Sequence, residues 1–328
     1  MNGGRKGRNR LLLGIDIGGS KIAYALADPA GEILARRRRP TEPTGNPEQD
    51  LAGIADDARG LLAQAGVGEG DLLGIGVSVP GPLDIDRGRV VRPPNLAGWE
   101  AVPVGKILQT EFGCPVALEN DANAAALAEY RFGAGRGCQD LVYLTMSTGV
   151  GGGIILGGHL HRGRMGTAGE LGHTPVEWPG EPCACGLRGC LEAYLGGVAL
   201  TRRLRAQVPE TSACVALAGS PEAVSTVHWV EAARAGDPWA LAEMDRFNHH
   251  LAQAIVHLAF SLAPEVVVLG TIPIAAGDAL CFDPVRKHVA ERIWPHQAPY
   301  MKIVPAELGD DLAYRAGLCV ALEAIGKD

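Results

Sequence analysis

The chain has 328 residues, a net charge of −7 and only 5% aromatic residues, so it is long enough for two domains but lacks the basic face or aromatic platform of most nucleic-acid binders. Its N-terminal segment lacks the apolar stretch of a signal peptide, and Pro264, Glu265 and Pro273 break the most apolar run before it reaches membrane-spanning length. We therefore expect a cytoplasmic protein without a nucleic-acid or membrane partner.

Strands, glycine turns and helices alternate through the first half of the chain. Residues 1–10 are rich in Gly and Arg and are expected to form a disordered tail, and residues 10–28 predict a strand, a turn and a second strand. A third strand ends in four arginines at 36–39, which we interpret as a solvated strand end; contact with a polyanion is the alternative. The other predictions are helices at 47–66, 102–112 and 121–133, and strands at 71–79 and at CPVALEND.

The second half begins in the same way, because residues 140–158 again predict strand, turn and strand. We interpret this echo, at an offset of about 130 residues, as an internal duplication. The alternation of strands and helices predicts an α/β fold with two lobes and a central cleft for a ligand. We expect residues 11–121 with about 311–328 to form a small lobe, and residues 122–310 a large one. The later predicted elements are helices at 191–207, 221–236, 238–262 and 311–325, and strands at 265–270 and 301–305.

The first glycine turn, DIGGSK, has the composition of an anion-binding turn. Glycine has no side chain to block a phosphate, and such a turn can direct consecutive backbone N–H groups at an anion. Lys21 adds a positive charge, and the Asp16 carboxylate could hold a hydrated Mg²⁺ ion. The residues expected to contact a nucleotide here are Asp16, Gly18, Gly19, Ser20 and Lys21.

The second glycine turn, STGVGGG, adds the hydroxyl groups of Ser147 and Thr148 and the backbone of Gly149. Two matched turns favour a phosphate ligand, although two tight hairpins without a ligand are the alternative. Neither a P-loop nor a dinucleotide fingerprint fits, since Ser20 stands where a P-loop has its Lys and Val79 where the fingerprint has its third Gly.

Asp121 stands in LENDANAAALAE, where a predicted strand leads directly into a predicted helix. Its simplest role is to cap that helix. However, Glu119, Asn120, Asp121 and Asn123 form a polar cluster beside an apolar strand. A carboxylate in such a place can accept a proton from a substrate hydroxyl. We therefore favour Asp121 as a catalytic base.

A cysteine-rich loop at 169–192 combines GELGH with CACGLRGCLE. The one His, three Cys and two Glu of these two motifs suggest a metal site; a redox pair is the alternative, although the spacing fits a metal better. The remaining five cysteines are scattered and are expected to be buried apolar residues. His249, His250 and His257 share a predicted helix but have no carboxylate at ligand spacing, so we interpret them as ordinary histidines.

These motifs together resemble the ROK family of sugar kinases and regulators, and the resemblance covers nearly the whole chain. It rests on DIGGSK, VPGPLD, NLAGW, LENDANAAALAE, STGVGGG, GELGH and CACGLRGCLEAY. It implies the duplicated actin-like, or ribonuclease-H-like, ATPase fold. It also implies a structural Zn²⁺ ion bound by one imidazole and three thiolates, a set that closes a tetrahedral site. By motif match these ligands are His173, Cys183, Cys185 and Cys190.

The resemblance further implies an active site for phosphoryl transfer from Mg²⁺-bound ATP to a sugar. Asp121 would accept the proton of the C6 hydroxyl, while the glycine N–H groups and Mg²⁺ carry the developing charge. Gly270, at the end of a predicted strand, would contact the nucleotide. The residues implied in sugar binding are Asn95, Asn120, Asp121, Glu170, His173 and Glu192.

The motifs PNLAGWE and LENDANAAALAE look most like those of the bacterial glucokinases within the family, so glucose is the expected substrate. N-acetylglucosamine or N-acetylmannosamine is the alternative substrate, and polyphosphate the alternative donor. A sugar-responsive regulator is the alternative of another class, but the first predicted strand begins near residue 11 and we expect no DNA-binding domain before it. Thr271 departs from the family's Gly pair and could alter nucleotide binding. Family members commonly form dimers, sometimes tetramers.

Overall fold

The computed structural model describes residues 10–93 and 95–325. Apart from Arg10, the tail expected at 1–10 lies outside the described residues. The chain divides into two compact units, Met1–Phe132 with Leu308–Asp328, and Gly133–Glu307. The helix that starts at Asp121 belongs to the first unit, whereas we had expected it in the larger lobe. It does so because its Ala124 packs against Ala316 and Val320 near the C-terminus.

The first unit is built on a mixed sheet with the strand order β3-β2-β1-β4-β7. The three strands β1 to β3 pair antiparallel, whereas β1 with β4 and β4 with β7 pair parallel. The strands are β1 (Leu11–Ile17), β2 (Lys21–Ala27), β3 (Ile33–Pro40), β4 (Leu72–Val79), the short hairpin β5 (Leu83–Asp84) and β6 (Arg89–Val90), and β7 (Val116–Asn120). The helices are α1 (Pro47–Gln64), α2 (Val104–Phe112), α3 (Asp121–Phe132) and the C-terminal helix (Leu312–Ile325).

Local sequence signals explain where these helices begin and end. The side chain of Asn46 accepts hydrogen bonds from the first N–H groups of α1, and Pro47 occupies its first turn. Gly113 ends α2 in the left-handed conformation, with φ of 63°. The buried face of α1, which includes Leu51 and Ile54, packs into the core of this unit.

The arginines of β3 pair with acidic residues inside the first unit. Successive strand residues point to opposite faces, so alternate arginines have different partners. The pairs are Arg36–Asp311, Arg37–Asp57, Arg38–Asp310 and Arg39–Asp57. The charge of this segment is therefore largely balanced by neighbouring carboxylates.

The second unit repeats the sheet of the first, with the order β10-β9-β8-β11-β12. Pairing is again antiparallel among the first three strands and parallel from β8 to β11 and from β11 to β12. This match confirms the predicted duplication and the α/β class. The strands are β8 (Leu141–Met146), β9 (Val150–Leu156), β10 (His159–Leu160), β11 (Val266–Thr271) and β12 (Lys302–Pro305).

The second unit has seven α-helices among the described residues, most of them between β10 and β11. In chain order they are α4 (Leu191–Leu195), α5 (Gly197–Gln207), α6 (Ala213–Ala218), α7 (Thr226–Arg234), α8 (Pro238–Ser261), α9 (Ile272–Ala276) and α10 (Asp283–Ala290). The single helix predicted at 191–207 is thus wrong: it is divided at Gly196, which has an extended conformation. We did not predict α6, α9 or α10. Among the described residues, no helix is long and apolar enough to cross a membrane.

Candidate active site and metal centre

In the turn between β1 and β2, hydrogen bonds hold the backbone carbonyl groups of Gly18 and Ser20 on the side that faces Thr41. The Gly18 N–H donates to the Lys21 carbonyl at 2.9 Å, which closes the turn. Thr41 holds the Gly18 carbonyl through its hydroxyl at 2.7 Å and the Ser20 carbonyl through its N–H at 3.0 Å. Because C=O and N–H point in opposite directions in a trans peptide, the N–H groups of Gly19 and Lys21 point away from Thr41. This is the arrangement that an anion-binding turn needs.

Asn95 lies directly against this turn. A Cβ atom at Gly19 would lie 2.9 Å from the Cβ and the amide nitrogen of Asn95, so glycine is required there for space. The segment after Asn95 is anchored by Trp99, which is 2% exposed and donates from Nε1 to Asp50 Oδ2 at 2.9 Å. One expected sugar ligand is therefore next to the first expected phosphate turn.

Asp16 and Asp121 are the two carboxylates near this turn. Asp16 Oδ1 accepts a hydrogen bond from the Ser78 hydroxyl at 2.5 Å, since the two residues are neighbours on β1 and β4. Loss of hydration raises the pKa of Asp16 to about 7; repulsion from Asp121 adds to the rise, while Ser78 and Lys21 oppose it. The Asp16 carboxylate, which loses hydration and is repelled by Asp121, is an oxygen donor suited to a hard cation such as Mg²⁺.

Asn120 caps α3, and Asp121 Oδ1 shares one of the same donors, the Ala122 N–H, at 2.9 Å. Its Oδ1 accepts hydrogen bonds from the N–H groups of Ala122 at 2.9 Å and Asn123 at 3.3 Å. Glu119 is fully buried and accepts from the Asn120 N–H and from the Asn123 amide, both at 3.0 Å. Asp121 keeps its side chain accessible to solvent, and loss of hydration raises its pKa. Asn120 therefore bonds two of the first N–H groups of α3, whereas Asp121 bonds only one of them.

The turn between β8 and β9 is held in the same manner as the first. The carbonyls of Ser147 and Thr148 accept from the N–H groups of Gly197 at 2.8 Å and Val198 at 3.0 Å, at the start of α5. The N–H groups of Thr148 and Gly149 therefore point away from α5. In the second expected phosphate turn, these two N–H groups therefore do not face the supporting helix and can donate to an anion.

The carboxyl end of β11 departs from the pattern that the family resemblance led us to expect. Thr271 has φ of 64°, which is unusual for a β-branched residue. Its hydroxyl lies 2.8 Å from the Thr145 hydroxyl on β8. Gly270 precedes it, and a Cβ there would lie 2.9 Å from the Tyr143 hydroxyl. Gly270 is therefore buried against side chains of β8, whereas the Thr271 side chain is exposed to solvent.

The four predicted metal ligands come together in the second unit. The ligand atoms of His173, Cys183, Cys185 and Cys190 all lie within 4.8 Å of one another. The Cys183 Sγ to His173 Nδ1 and Cys185 Sγ to Cys190 Sγ distances are both 3.8 Å. Tetrahedral ligation with Zn–S bonds of about 2.3 Å separates sulfurs by about 3.8 Å. Loss of hydration, together with the neighbouring thiols, raises the pKa of Cys190 to about 12. The thiols of such a cluster lose their protons most readily when they bind a metal cation.

Three expected sugar ligands lie beside this cluster. Glu170 Oε2 is 4.0 Å from His173 Nε2, the ring nitrogen opposite the one that faces Cys183. Glu192 Oε2 accepts from the Val150 N–H at 2.9 Å, and its Oε1 lies 3.9 Å from Cys183 Sγ. Glu170, His173 and Glu192 thus lie in the second unit, whereas Asn95, Asn120 and Asp121 lie in the first.

Sequence reasoning missed several residues that shape these sites. Ser78 is a lone hydroxyl in an otherwise apolar strand, which is the signal that could have identified it. His250 does have a carboxylate partner: its Nε2 lies 2.9 Å from Glu177 Oε1, 73 residues away in the chain. Its ring also stacks on Tyr194 at 4.3 Å. That partner could not be found by spacing along one helix.

Comparison with known proteins identifies the family. The chain matches the ROK family over residues 12–322, and it therefore belongs to that family. The glucokinase of Thermotoga maritima is 38% identical, over 96% of this chain and 98% of its own length.

Two solved structures extend the comparison. The ROK hexokinase of Thermus thermophilus is 33% identical, with a TM-score of 0.84, and the match covers 97% of this chain and 100% of that one. The ROK family glucokinase of Streptomyces griseus, in complex with glucose and AMPPNP, is 34% identical, with a TM-score of 0.77 and coverage of 95% and 99%. These matches confirm the predicted family and the duplicated actin-like fold.

Proposed function

We propose that this protein is an ATP-dependent glucokinase, which transfers the γ-phosphoryl group of ATP to the C6 hydroxyl of glucose. The observation that carries the proposal is the Asp121 carboxylate, which keeps an exposed side chain at the start of α3, close enough to Asp16 to repel its charge, while Asn120 bonds the N–H groups of Ala122 and Asn123. The similarity to bacterial glucokinases over nearly the full length of both chains supports the choice of glucose.

Asp121 would act as the general base. A carboxylate whose pKa is raised by loss of hydration is a stronger base than an ordinary one. It would accept the proton of the C6 hydroxyl as that oxygen attacks the γ-phosphorus. Asn120, fixed by its capping bonds, would orient the same part of the sugar through its amide nitrogen.

The two glycine turns would bind the donor phosphates. Their N–H groups are held in position by Thr41 in the first unit and by the start of α5 in the second. Such preorganised donors need little rearrangement as charge develops. Asp16 would hold Mg²⁺, which when bound supplies neutralisation of the phosphate charge, and the Lys21 ammonium group would contact the phosphates directly.

We propose that His173, Cys183, Cys185 and Cys190 bind Zn²⁺ in a structural role. Four protein ligands complete a tetrahedral site and leave no position for a substrate. The residues of this loop would instead hold Glu170, His173 and Glu192 for hydrogen bonds with sugar hydroxyls. Asn95 in the first unit would add an amide to the same set.

The proposed setting is a cytoplasmic homodimer or tetramer that takes part in carbohydrate metabolism. Light scattering of the purified protein tests the assembly, and a monomer at micromolar concentration would contradict it.

The deciding experiment is a coupled ADP-release assay with Mg²⁺-ATP on glucose, mannose, fructose, N-acetylglucosamine and N-acetylmannosamine. We expect glucose to have the highest kcat/KM, and Asp121→Asn to lower kcat by about 100-fold or more because the base is lost. Asp56→Asn, an exposed change on α1, is the matched control and should leave kcat unchanged.

Other outcomes would redirect the proposal. A higher kcat/KM for an N-acetylhexosamine would change the substrate but keep the kinase. Turnover with polyphosphate and not with ATP would change the donor. If no sugar is phosphorylated and the protein binds a specific DNA duplex, the regulator replaces the kinase.

A further inference from the structure

Glu192 makes contacts that a role in sugar binding does not explain. Its Oε2 accepts a hydrogen bond from the Val150 N–H at 2.9 Å, directly after the turn at 147–149. Its Oε1 lies 3.9 Å from the Sγ of Cys183. The carboxylate therefore lies between the second glycine turn and the Cys/His cluster of the same unit.

The backbone at Gly149 and Gly196 packs closely against the Glu192 side chain. A Cβ at Gly149 would collide with Glu192 Oε2, and a Cβ at Gly196 would lie 3.0 Å from its Cγ. Gly196 has φ of −65°, a value that any residue adopts. At Gly196 a Cβ would also lie 2.8 Å from the Glu192 carbonyl oxygen, so glycine is required there by space rather than by backbone conformation, and at Gly149 the space is filled by the Glu192 carboxylate itself.

Glu192 also completes the set of bonds that orient the turn. The carbonyls of Ser147 and Thr148 are held by the first residues of α5, and Glu192 holds the next N–H group, that of Val150. Three successive peptide groups are thereby fixed. With these planes fixed, the N–H groups of Thr148 and Gly149 point to the side opposite α5, where an anion can bind them.

We propose that Glu192 is a positioning residue for the phosphoryl donor. By accepting from Val150, its carboxylate fixes the turn so that the Thr148 and Gly149 N–H groups face the donor phosphates. The same carboxylate reaches the metal loop through Cys183, so this loop supports the donor site as well as the sugar site. The proposal rests on the proposed kinase function and extends it.

The test measures donor binding without sugar, because a residue that serves only the sugar would not affect it. Calorimetry with Mg²⁺-AMPPNP is performed on the full-length wild type, Glu192→Ala, Glu192→Gln and Glu170→Gln, with the zinc content of each measured. We expect Glu192→Ala to weaken nucleotide binding about tenfold, since a charged hydrogen bond to the backbone is lost.

The two other variants provide rescue and control. Glu192→Gln keeps an oxygen that can accept from Val150, so its nucleotide affinity should stay within about threefold of wild type. Glu170→Gln changes the acid beside His173 and should leave nucleotide affinity unchanged. In turnover assays, Glu192→Ala should raise the KM for ATP, whereas Glu170→Gln should raise the KM for the sugar.

Several results would overturn the proposal. These are wild-type affinity in Glu192→Ala, equal weakening in Glu192→Gln and Glu192→Ala, and a loss of affinity that follows loss of zinc and is reversed by added zinc. A wild type that binds the nucleotide but phosphorylates no sugar would refute the kinase and leave this role standing. A wild type that binds no nucleotide would overturn both.

Discussion

At the scale of single residues, Asp16 is the group whose chemistry depends most on its surroundings. On the surface its carboxyl would have its ordinary pKa of 3.8, and burial beside Asp121 raises this to about 7. The folded protein without cations therefore binds a proton at Asp16 that the unfolded chain does not bind between about pH 4 and pH 7. The contribution of this group to the free energy of unfolding falls as the pH rises through that range.

This pKa leads to a prediction for donor binding. As the pH falls from 8 to 6, the ionised fraction of Asp16 decreases about tenfold, so the affinity for Mg²⁺-AMPPNP should fall by up to the same factor. Calorimetry across this range measures it. The Asp16→Asn variant should bind Mg²⁺-AMPPNP weakly, with an affinity that does not change with pH. If its affinity fell with pH as steeply as that of the wild type, another group would be responsible for the pH dependence.

Thr271 leads to a second prediction at this scale. Its φ of 64° strains a β-branched residue, although its hydroxyl gains a contact with Thr145. Thr271→Gly should raise the free energy of unfolding by about 1 kcal/mol, because relief of strain outweighs one exposed hydrogen bond. Thr145→Val removes the hydroxyl pair without relieving the strain and should lower stability in urea titrations. Destabilisation by Thr271→Gly would show that the backbone there is relaxed.

At the scale of elements, the C-terminal helix approaches the first sheet more closely than side chains would allow. Gly14 on β1 and Gly76 on β4 face Gly317 of that helix, and a Cβ at any of the three would collide with the opposing backbone. The helix returns from the end of the chain to cover strands near its beginning. The glycines of two distant segments therefore determine how the unit closes.

Gly76→Ala should accordingly destabilise the first unit by about 3 kcal/mol or more, because its methyl group would meet backbone atoms that cannot rotate away. Gly53→Ala is the contrasting change, since the exposed side of α1 has room for a methyl group and alanine favours a helix interior by about 1 kcal/mol. Thermal unfolding of both variants tests the pair. A Gly76→Ala protein as stable as wild type would contradict this packing.

At the scale of the whole molecule, the two units have separate hydrophobic cores. The Cys/His cluster belongs to the second, where Cys183 and Cys190 pack into the core. A chelator should therefore increase amide hydrogen exchange around α4 and in the cysteine-rich loop, but not in β1 or β4. Gly76→Ala should instead increase amide hydrogen exchange in β1 and β4, but not around α4 or in the cysteine-rich loop. Hydrogen exchange followed by mass spectrometry measures both, and equal changes in the two units would contradict the separation.

The sequence by itself determined the features that depend on near neighbours along the chain. The end of α2 at Gly113, the two strand–turn–strand units and the join of β7 to α3 follow from glycine positions and hydrophobic periodicity within short windows. The spacing of His and Cys within one loop likewise suggested a metal site, and the resemblance to the ROK family named its four ligands. The family resemblance added the expected roles of these residues, which local pattern alone could not assign.

Only the tertiary structure decided which distant groups meet. It placed Ser78 on Asp16 through the register of β1 and β4, Glu177 on His250, and Asp311 on Arg36. It also placed Asn120 as the main cap of α3 and brought Glu192 to Val150. Such pairs depend on sheet register and helix packing. The free energy of those arrangements is a sum over contacts throughout the core, so no single segment of the sequence determines it.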